Sequence, residues 1–389
     1  RGGKGRTGMA TKEEDFVSQV FVANTHTPML FFSSTGIAYK LKVYNLPLGT
    51  PTSRGKALVN LLPLKEGETI TTVMPLPEDE SSWDNLFVMF ATRTGDVRRN
   101  RLSDFTNVWA TGKIAMKLEP GDSLVRVRTC SEAEDVFLCT RSGKCTRFSV
   151  GDIRVFAGRT STGVRAIKLA DDDYVISMSM LHHIDFDTEE RDGYLRLAAA
   201  RRGSPAPSGR RAEGAEETVP AESPEGAAPA ATLSDDRAAE LAAAEEFILS
   251  VTENGFGKRS SAYEYRIANR GGQGIANIDV SERNGRVVAS FPVKDTDQIM
   301  MVSDGGQLIR IPVADIRIAG RTTQGVTLFK TAEGEHVVSV TRLREPEDDG
   351  KGNGNGEESD PPSAAPEGAA EAAADPLGET LGEQPDAEG

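Results

Sequence analysis

One short unit recurs five times along this 389-residue chain, and that recurrence limits what it can fold into more than any other feature. Each unit opens on an apolar run: Met29 to Phe32, Leu86 to Phe90, Val136 to Cys139, Phe247 to Val251 and Ile299 to Val302. A turn with glycine follows, at Gly36, Gly95, Gly143, Gly255 and Gly306. Glycine or asparagine supplies the positive φ that a tight hairpin needs. Four residues beyond each glycine stands a cation: Lys40, Arg99, Arg147, Arg259 and Arg310. A second glycine, at Gly55, Gly112, Gly163, Gly274 and Gly325, lies 19, 17, 20, 19 and 19 residues after the first.

Every unit closes on an alternating stretch: Thr69 to Met74, Ser123 to Arg128, Tyr174 to Ser179, Arg286 to Phe291 and His336 to Thr341. Period-two alternation marks a strand with one buried face and one wet face. Phe16 to Val22 has the same form behind the glycines of Arg1 to Gly5, so residues 1–26 read as the back half of a sixth unit. Its front half is expected upstream, in a longer polypeptide. Short strands at this period, with no helical pattern between them, predict an all-β fold of radial blades rather than a sandwich.

The first glycines are 59, 48, 112 and 51 residues apart, and the long gap holds an Ala/Pro/Gly/Glu-rich segment. The predicted organisation is a half unit and three full units over 1–182, a disordered insertion over 183–245, two units over 246–345 and a disordered acidic tail over 346–389. Few aromatic and β-branched residues leave both polar segments too little apolar surface to offset the entropy of ordering. A short helix is expected within the insertion, from Ser234 to Phe247, on its serine cap and alanine run.

Charge sharpens the reading. The chain carries −14 overall, which argues against a polyanion as partner. Residues 345–389 contribute −13 of this and residues 183–245 contribute −7, so the remaining, foldable part is +6. The acidic tail is expected either to compete with an anionic partner for this basic part or simply to solubilise it. No run of about 18 apolar residues offers a membrane span. Cys130, Cys139 and Cys145 lack zinc-site spacing and read as reduced, half-buried strand residues. His26, His182, His183 and His336 are scattered and read as polar surface residues. Gly3 to Gly8 fits GxGxxG without a βα unit around it, and no nucleophile, base and acid share a motif. Trp83 and Trp109, both in linking segments, read as packing residues.

At the level of whole phrases, VANTHTPMLFFSSTG, VYNLPLGTPTSRGKALVNLLPL, FGKRSSAYEYR and DQIMMVSDGGQLIRIPVADIRIAGRTTQGV resemble the C-terminal domain of the gyrase A subunit. Arg1-Gly2-Gly3-Lys4-Gly5 matches the last five residues of that family's seven-residue box, and Arg270 to Gly274 is a near copy. The box separates gyrase from the related topoisomerase IV subunit, whose C-terminal DNA-binding domain is the alternative. The resemblance implies a six-bladed β-pinwheel, a propeller-like disc whose blades exchange strands and whose rim wraps duplex DNA with positive handedness. It further implies that the remainder of the gyrase A subunit, together with the gyrase B subunit in an A2B2 assembly using ATP and Mg2+, turns that wrap into negative supercoils. The fragment itself is then expected to hold no catalytic residue, metal or cofactor, and to work in the cytoplasm on the nucleoid, away from membranes.

Cations repeating at fixed positions predict a belt that meets phosphates whatever the base sequence. The hairpin positions nominate Lys40, Lys42, Arg98, Arg99, Arg101, Lys144, Arg147, Lys258, Arg259 and Arg310. The loops around the second glycine nominate Arg54, Lys56, Lys113, Arg159, Arg165, Arg270 and Arg321, and the box resemblance adds Arg1, Gly2, Gly3, Lys4 and Gly5. A platform that binds only proteins would not need a cation at one place in five units.

Overall fold

The computed structural model describes residues 23–50, 53–203 and 233–343. Unit 1 supplies β1 (Pro28–Ser33), β2 (Ile37–Lys42) and β3 (Ile70–Pro75); unit 2 supplies β4 (Phe87–Thr92), β5 (Asp96–Arg101), β6 (Lys113–Ile114) and β7 (Leu124–Cys130). Unit 3 supplies β8 (Glu134–Thr140), β9 (Lys144–Ser149), β10 (Val164–Arg165) and β11 (Val175–His182), and is followed by α1 (Thr188–Arg201) and α2 (Asp235–Ala243). Unit 4 supplies β12 (Phe247–Thr252), β13 (Phe256–Ser261), β14 (Ile275–Ala276) and β15 (Val287–Val293). Unit 5 supplies β16 (Gln298–Ser303), β17 (Leu308–Pro312), β18 (Val326–Thr327) and β19 (Val337–Leu343).

The two-residue strands do not stay with their own unit. The sheets run β3-β1-β2-β6, β7-β4-β5-β10, β11-β8-β9-β14 and β15-β12-β13-β18, all antiparallel. Units 2 to 5 thus each lend a strand to the free edge of the preceding sheet, as the family resemblance implied. The fifth sheet, β19-β16-β17, has three strands among the described residues. The stretch before unit 1, with the box residues Arg1 to Gly5, lies outside the described residues, as does the acidic tail.

Both glycines of the unit are explained by this exchange. The amides of Ala115, Ala166, Asn277 and Leu328, each three residues past a second glycine, donate to the carbonyls of Gly36, Gly95, Gly143 and Gly255 in the preceding unit. Gly255 has φ +76°, and a Cβ there would sit 1.9 Å from the Phe329 carbonyl oxygen. On the other side of the exchange, a Cβ at Gly325 would meet the Gly257 carbonyl at 2.5 Å. Two backbones close to this distance only where neither has a side chain in the way.

Because sheets stack face against face, their first strands are buried on both sides and read as continuous apolar runs. Leu30 and Phe32 of β1 point toward unit 2, where Phe32 meets Phe90 and Phe105 edge-on at 5.5 and 5.7 Å between ring centres. Met29 and Phe31 of the same strand point the opposite way, onto Tyr39 and Leu62. Each such ring pair adds about 0.5–1.5 kcal/mol beyond its buried area. The three cysteines are free and buried rather than half-buried, because their strands are covered on both faces.

The insertion departs from the expectation of disorder at its start, where α1 forms, while the helix expected from the Ser234 cap is present as α2. Residues 183–203 and 233–245 form a small helical pair around Tyr194, Leu195, Ala198, Leu241 and Tyr263. Asp187 and Glu190 close a reciprocal cap on α1, the Tyr263 hydroxyl donates to the Leu241 carbonyl, and Arg202 bonds Glu245. Composition missed α1 and the docking of the pair because the apolar partner, Tyr263, belongs to the neighbouring blade. Residues 204–232 lie outside the described residues.

Gly255→Ala and Gly306→Ala separate the two demands on glycine. Gly306 has φ +78° with nothing within 4 Å of where a Cβ would stand, so alanine there should lower stability only by the left-handed backbone strain, about 1–2 kcal/mol. Gly255→Ala adds a backbone collision and should cost about 2–5 kcal/mol in urea unfolding.

Candidate nucleic-acid interface

The cations four residues past the first glycine are, in three of the five units, not on the surface. Arg99, Arg147 and Arg259 are 4%, 2% and 5% exposed, and each reaches neighbouring backbone or an acid rather than solvent. Arg147 donates to Asp135 at 2.8 Å, to the Ala262 carbonyl at 2.8 Å and to the His182 carbonyl at 2.9 Å. Arg259 donates to the carbonyls of Ile316 and Ala314 and to Asp295. Arg99 pairs with Glu132, and Lys40 binds Glu80 and the Thr106 carbonyl, both at 2.7 Å. Ala262, Thr106, Ala314 and Ile316 all lie at the corner that follows the second strand of the next unit, so this repeated cation clasps one blade to its successor. Arg310 is exposed and donates to Gln298.

Arg98 and Lys258, one residue earlier in the repeat, are both 0% exposed. They donate to the carbonyls of Ser161 and Gly320, in the second-glycine loop of the following unit. Burial pushes the Lys258 ammonium down to about 7, so even its charge is conditional near neutrality. The expectation that Arg98, Arg99, Arg147, Lys258 and Arg259 meet phosphates is therefore corrected: these five brace blades and loops from within. A sequence shows that a position repeats but not which backbone will close over it.

The cations around the second glycine behave differently. Arg54, Lys56, Arg165 and Arg270 are exposed, and Arg159 and Arg321 are half-buried. Three of them form a series. Arg159 donates to the carbonyl of Ile114, Arg270 to that of Arg165 and Arg321 to that of Ala276, at 3.1, 3.2 and 2.8 Å. In each case an arginine four residues before its glycine reaches the residue two past the glycine of the preceding unit. The loops are also joined by backbone, since Gly271 donates to Ala166 and Lys168 to Gly272. Successive loops thus follow one another along a common edge, with guanidinium groups and glycine backbone set along it. Arg165 is shared with Asp96 on β5.

Of the other nominated residues, Lys144 is exposed beside Ala276 at the exchanged edge, and Lys42 is one-third exposed, 3.9 Å from Glu80. Arg101 is exposed and donates to the Asp84 carbonyl, whereas the Lys113 ammonium is turned inward onto the carbonyls of Asp104 and Asn107. Sequence reading overlooked Lys117, Lys168 and Lys330, all exposed, five residues past the second glycines of units 2, 3 and 5. Extending the repeat register by five positions would have found them. Among the described residues no helix is long and apolar enough to cross a membrane.

His183 begins the insertion against this framework. Its Nδ1 lies 2.7 Å from Asp135, the fully buried carboxylate that also accepts from Arg147, and its Nε2 lies 3.2 Å from Asp185. The hydrogen bond to Asp135 holds the His183 imidazole above its ordinary value of 6.5, against a smaller opposing effect of burial.

Comparison with known proteins follows the same repeat. The family described as DNA gyrase C-terminal domain, beta-propeller, matches residues 1–24, 28–77, 87–131, 134–181, 246–294 and 297–344. The DNA gyrase A subunit of Granulibacter bethesdensis is 52% identical over 350 residues, covering 89% of this chain and 37% of that protein. That of Rickettsia bellii is 48% identical over 358 residues, covering 92% and 38%. The chain therefore spans less than two-fifths of the length of these relatives. Two solved structures share the fold: the C-terminal domain of DNA topoisomerase IV, with TM-score 0.63 and 19% identity over 86% of this chain and 84% of that one, and a DNA gyrase A C-terminal domain, with TM-score 0.56 and 18% identity over 87% and 91%.

Removing the Arg147 charge should expose the difference between brace and contact. Arg147→Met leaves the Asp135 carboxylate with one partner fewer in a dry site and should lower stability by about 3 kcal/mol or more in urea titration. The His183 contact makes a second expectation. A raised folded-state value means that its contribution is complete below the unfolded value near 6.5 and fades as pH climbs through the folded value. Thermal melting should fall between pH 6 and pH 8 by more in the unaltered chain than in His183→Asn.

Proposed function

This chain belongs to the DNA gyrase C-terminal beta-propeller family, and on that premise we propose that it binds duplex DNA without regard to sequence and bends it along the edge built from the second-glycine loops. The observation that carries the reading is the linked series Arg159, Arg270 and Arg321, which joins the second-glycine loops of units 2 to 5 one to the next, with Arg165 exposed between them. Arginine at such a series neutralises phosphates at regular intervals, and glycine beside it lets the duplex backbone come close. Bending 20–30 base pairs by 40–90° costs on the order of 1–6 kcal/mol, which several distributed contacts offset.

In the longer protein, the wrap is of positive handedness, and the remainder of the gyrase A subunit with the gyrase B subunit, in an A2B2 assembly driven by ATP and Mg2+, converts it into negative supercoils. This chain contributes the DNA path and none of the bond-breaking chemistry. It works in the cytoplasm, on the nucleoid. The relatives at 48–52% identity carry the gyrase name, which favours this reading over the topoisomerase IV type.

Closing nicked plasmid with ligase in the presence of the protein tests it. A positive shift in linking number that grows with protein is expected; DNA binding without any shift overturns the chiral wrap. In salt titrations, Arg165→Ala and Arg270→Ala should each flatten the slope of log affinity against log salt by about 1. Arg259→Ala should lower the melting temperature and leave that slope alone.

A further inference from the structure

The two tryptophans, both read as packing residues from sequence, have opposite fates. Trp83 is 0% exposed with its indole N–H on the Pro77 carbonyl, whereas Trp109 is 78% exposed. Trp109 stands in the second-glycine loop of unit 2. In units 3, 4 and 5 the corresponding loops carry an arginine four residues before the glycine, at Arg159, Arg270 and Arg321. In unit 2 the loop is shortened. Val155, Ile267 and Ile318, the residues that bridge to the interior cation strand of the preceding unit, lie 8, 7 and 7 residues before their glycines. Asn107, at the same distance past its first glycine, lies only five before Gly112, and no arginine stands between them.

The shortened loop is a tight turn in which Gly112 donates to the Trp109 carbonyl and Lys113 holds Asp104 and Asn107 from inside. The neighbouring loop reaches the same place, because Arg159 of unit 3 donates to Ile114. Trp109 also forms one wall of an open groove of about 560 Å³ with Lys40, Lys42, Asn45 and Val108. Glu80 offsets one of the two lysines, which leaves the groove with a cationic balance.

From this position we infer that Trp109 is a duplex contact, an apolar wedge that lies against the sugars and base edges of the minor groove where unit 2 lacks its arginine. The inference rests on the second-glycine loops being the DNA path. Apolar side chains in the minor groove unstack base steps and bend the duplex, so a wedge here assists a wrap that the arginines alone would hold only by charge. Continuity with the arginine series and the cationic groove favour duplex over a protein partner.

Trp109 reports on itself, since the buried Trp83 is shielded from acrylamide. Titrating the full chain with a 40-base-pair duplex at low salt should protect the acrylamide-accessible fluorescence. Trp109→Ala should weaken binding at least about fivefold without changing the salt slope, because no phosphate contact is lost. It should also shrink the linking-number shift, and Trp109→Phe should restore part of both. Unchanged accessibility at saturating duplex, or Trp109→Ala binding like the unaltered chain, overturns the inference. So does loss of self-association in Trp109→Ala with unchanged DNA affinity, which would make the patch a protein contact. Failure of the unaltered chain to bind duplex at all would instead defeat the proposed function itself.

Discussion

A β-sheet edge offers unpaired N–H and C=O groups, and in this protein the next unit supplies their partners. Two residues of each of units 2 to 5 extend the sheet before it, and the amide three residues past the second glycine bonds the preceding unit's first-glycine carbonyl. The rest of the architecture depends on this exchange. It fixes how far apart the two glycines lie, because the chain must leave one sheet, complete its neighbour and return. It also carries the second-glycine loops to a shared boundary between units, where Arg270 can touch Arg165 and Arg159 can touch Ile114.

Burying charge serves the same end. Arg147 and Asp135 are almost wholly out of water, which is favourable only because the remaining donors of the guanidinium meet the carbonyls of Ala262 and His182. A hydrophobic residue at that position would leave the buried Asp135 without its cation and lose the bond to Ala262 at the next unit's corner. The cation thus trades hydration for a directional bond to the neighbouring blade, repeated at Lys40 and Arg259 with their own acids and carbonyls. Arg98 and Lys258 extend the bracing to the loops, holding Ser161 and Gly320 from the inside while the arginines of those loops lie nearer the surface. Interior cations give the loops their shape, and the exposed cations give the edge its charge.

The helical pair after unit 3 follows a related logic. In unit 1, the residue equivalent to Tyr263 is Tyr44, which is 58% exposed. In unit 4, α1 and α2 cover Tyr263, with Phe186 and Tyr194 edge-on to its ring at 5.2 and 5.5 Å. The two described ends of the insertion therefore have a fixed seat on the blade that follows, and the first is tied to the preceding blade through His183 and Asp135.

The sequence by itself determined the strands, their order and the repeat. Alternation and turn glycines act over a few residues, so Met29 to Phe32 or Val136 to Cys139 are legible as strands without knowing what covers them; β1 and β8 extend them by only one or two residues at either end. It also determined that the folded part is basic and that the second-glycine loops hold arginine. Only the tertiary structure decided which cations face water. Arg99, Arg259 and Arg270 look alike in the chain, but burial depends on whether the backbone of the next unit closes over a position, and that contact spans 55 to 57 residues at Arg259. The same reason separates Trp83 from Trp109 and seats α2 on Tyr263: period and composition describe a residue's own segment, whereas exposure is set by the segment packed against it.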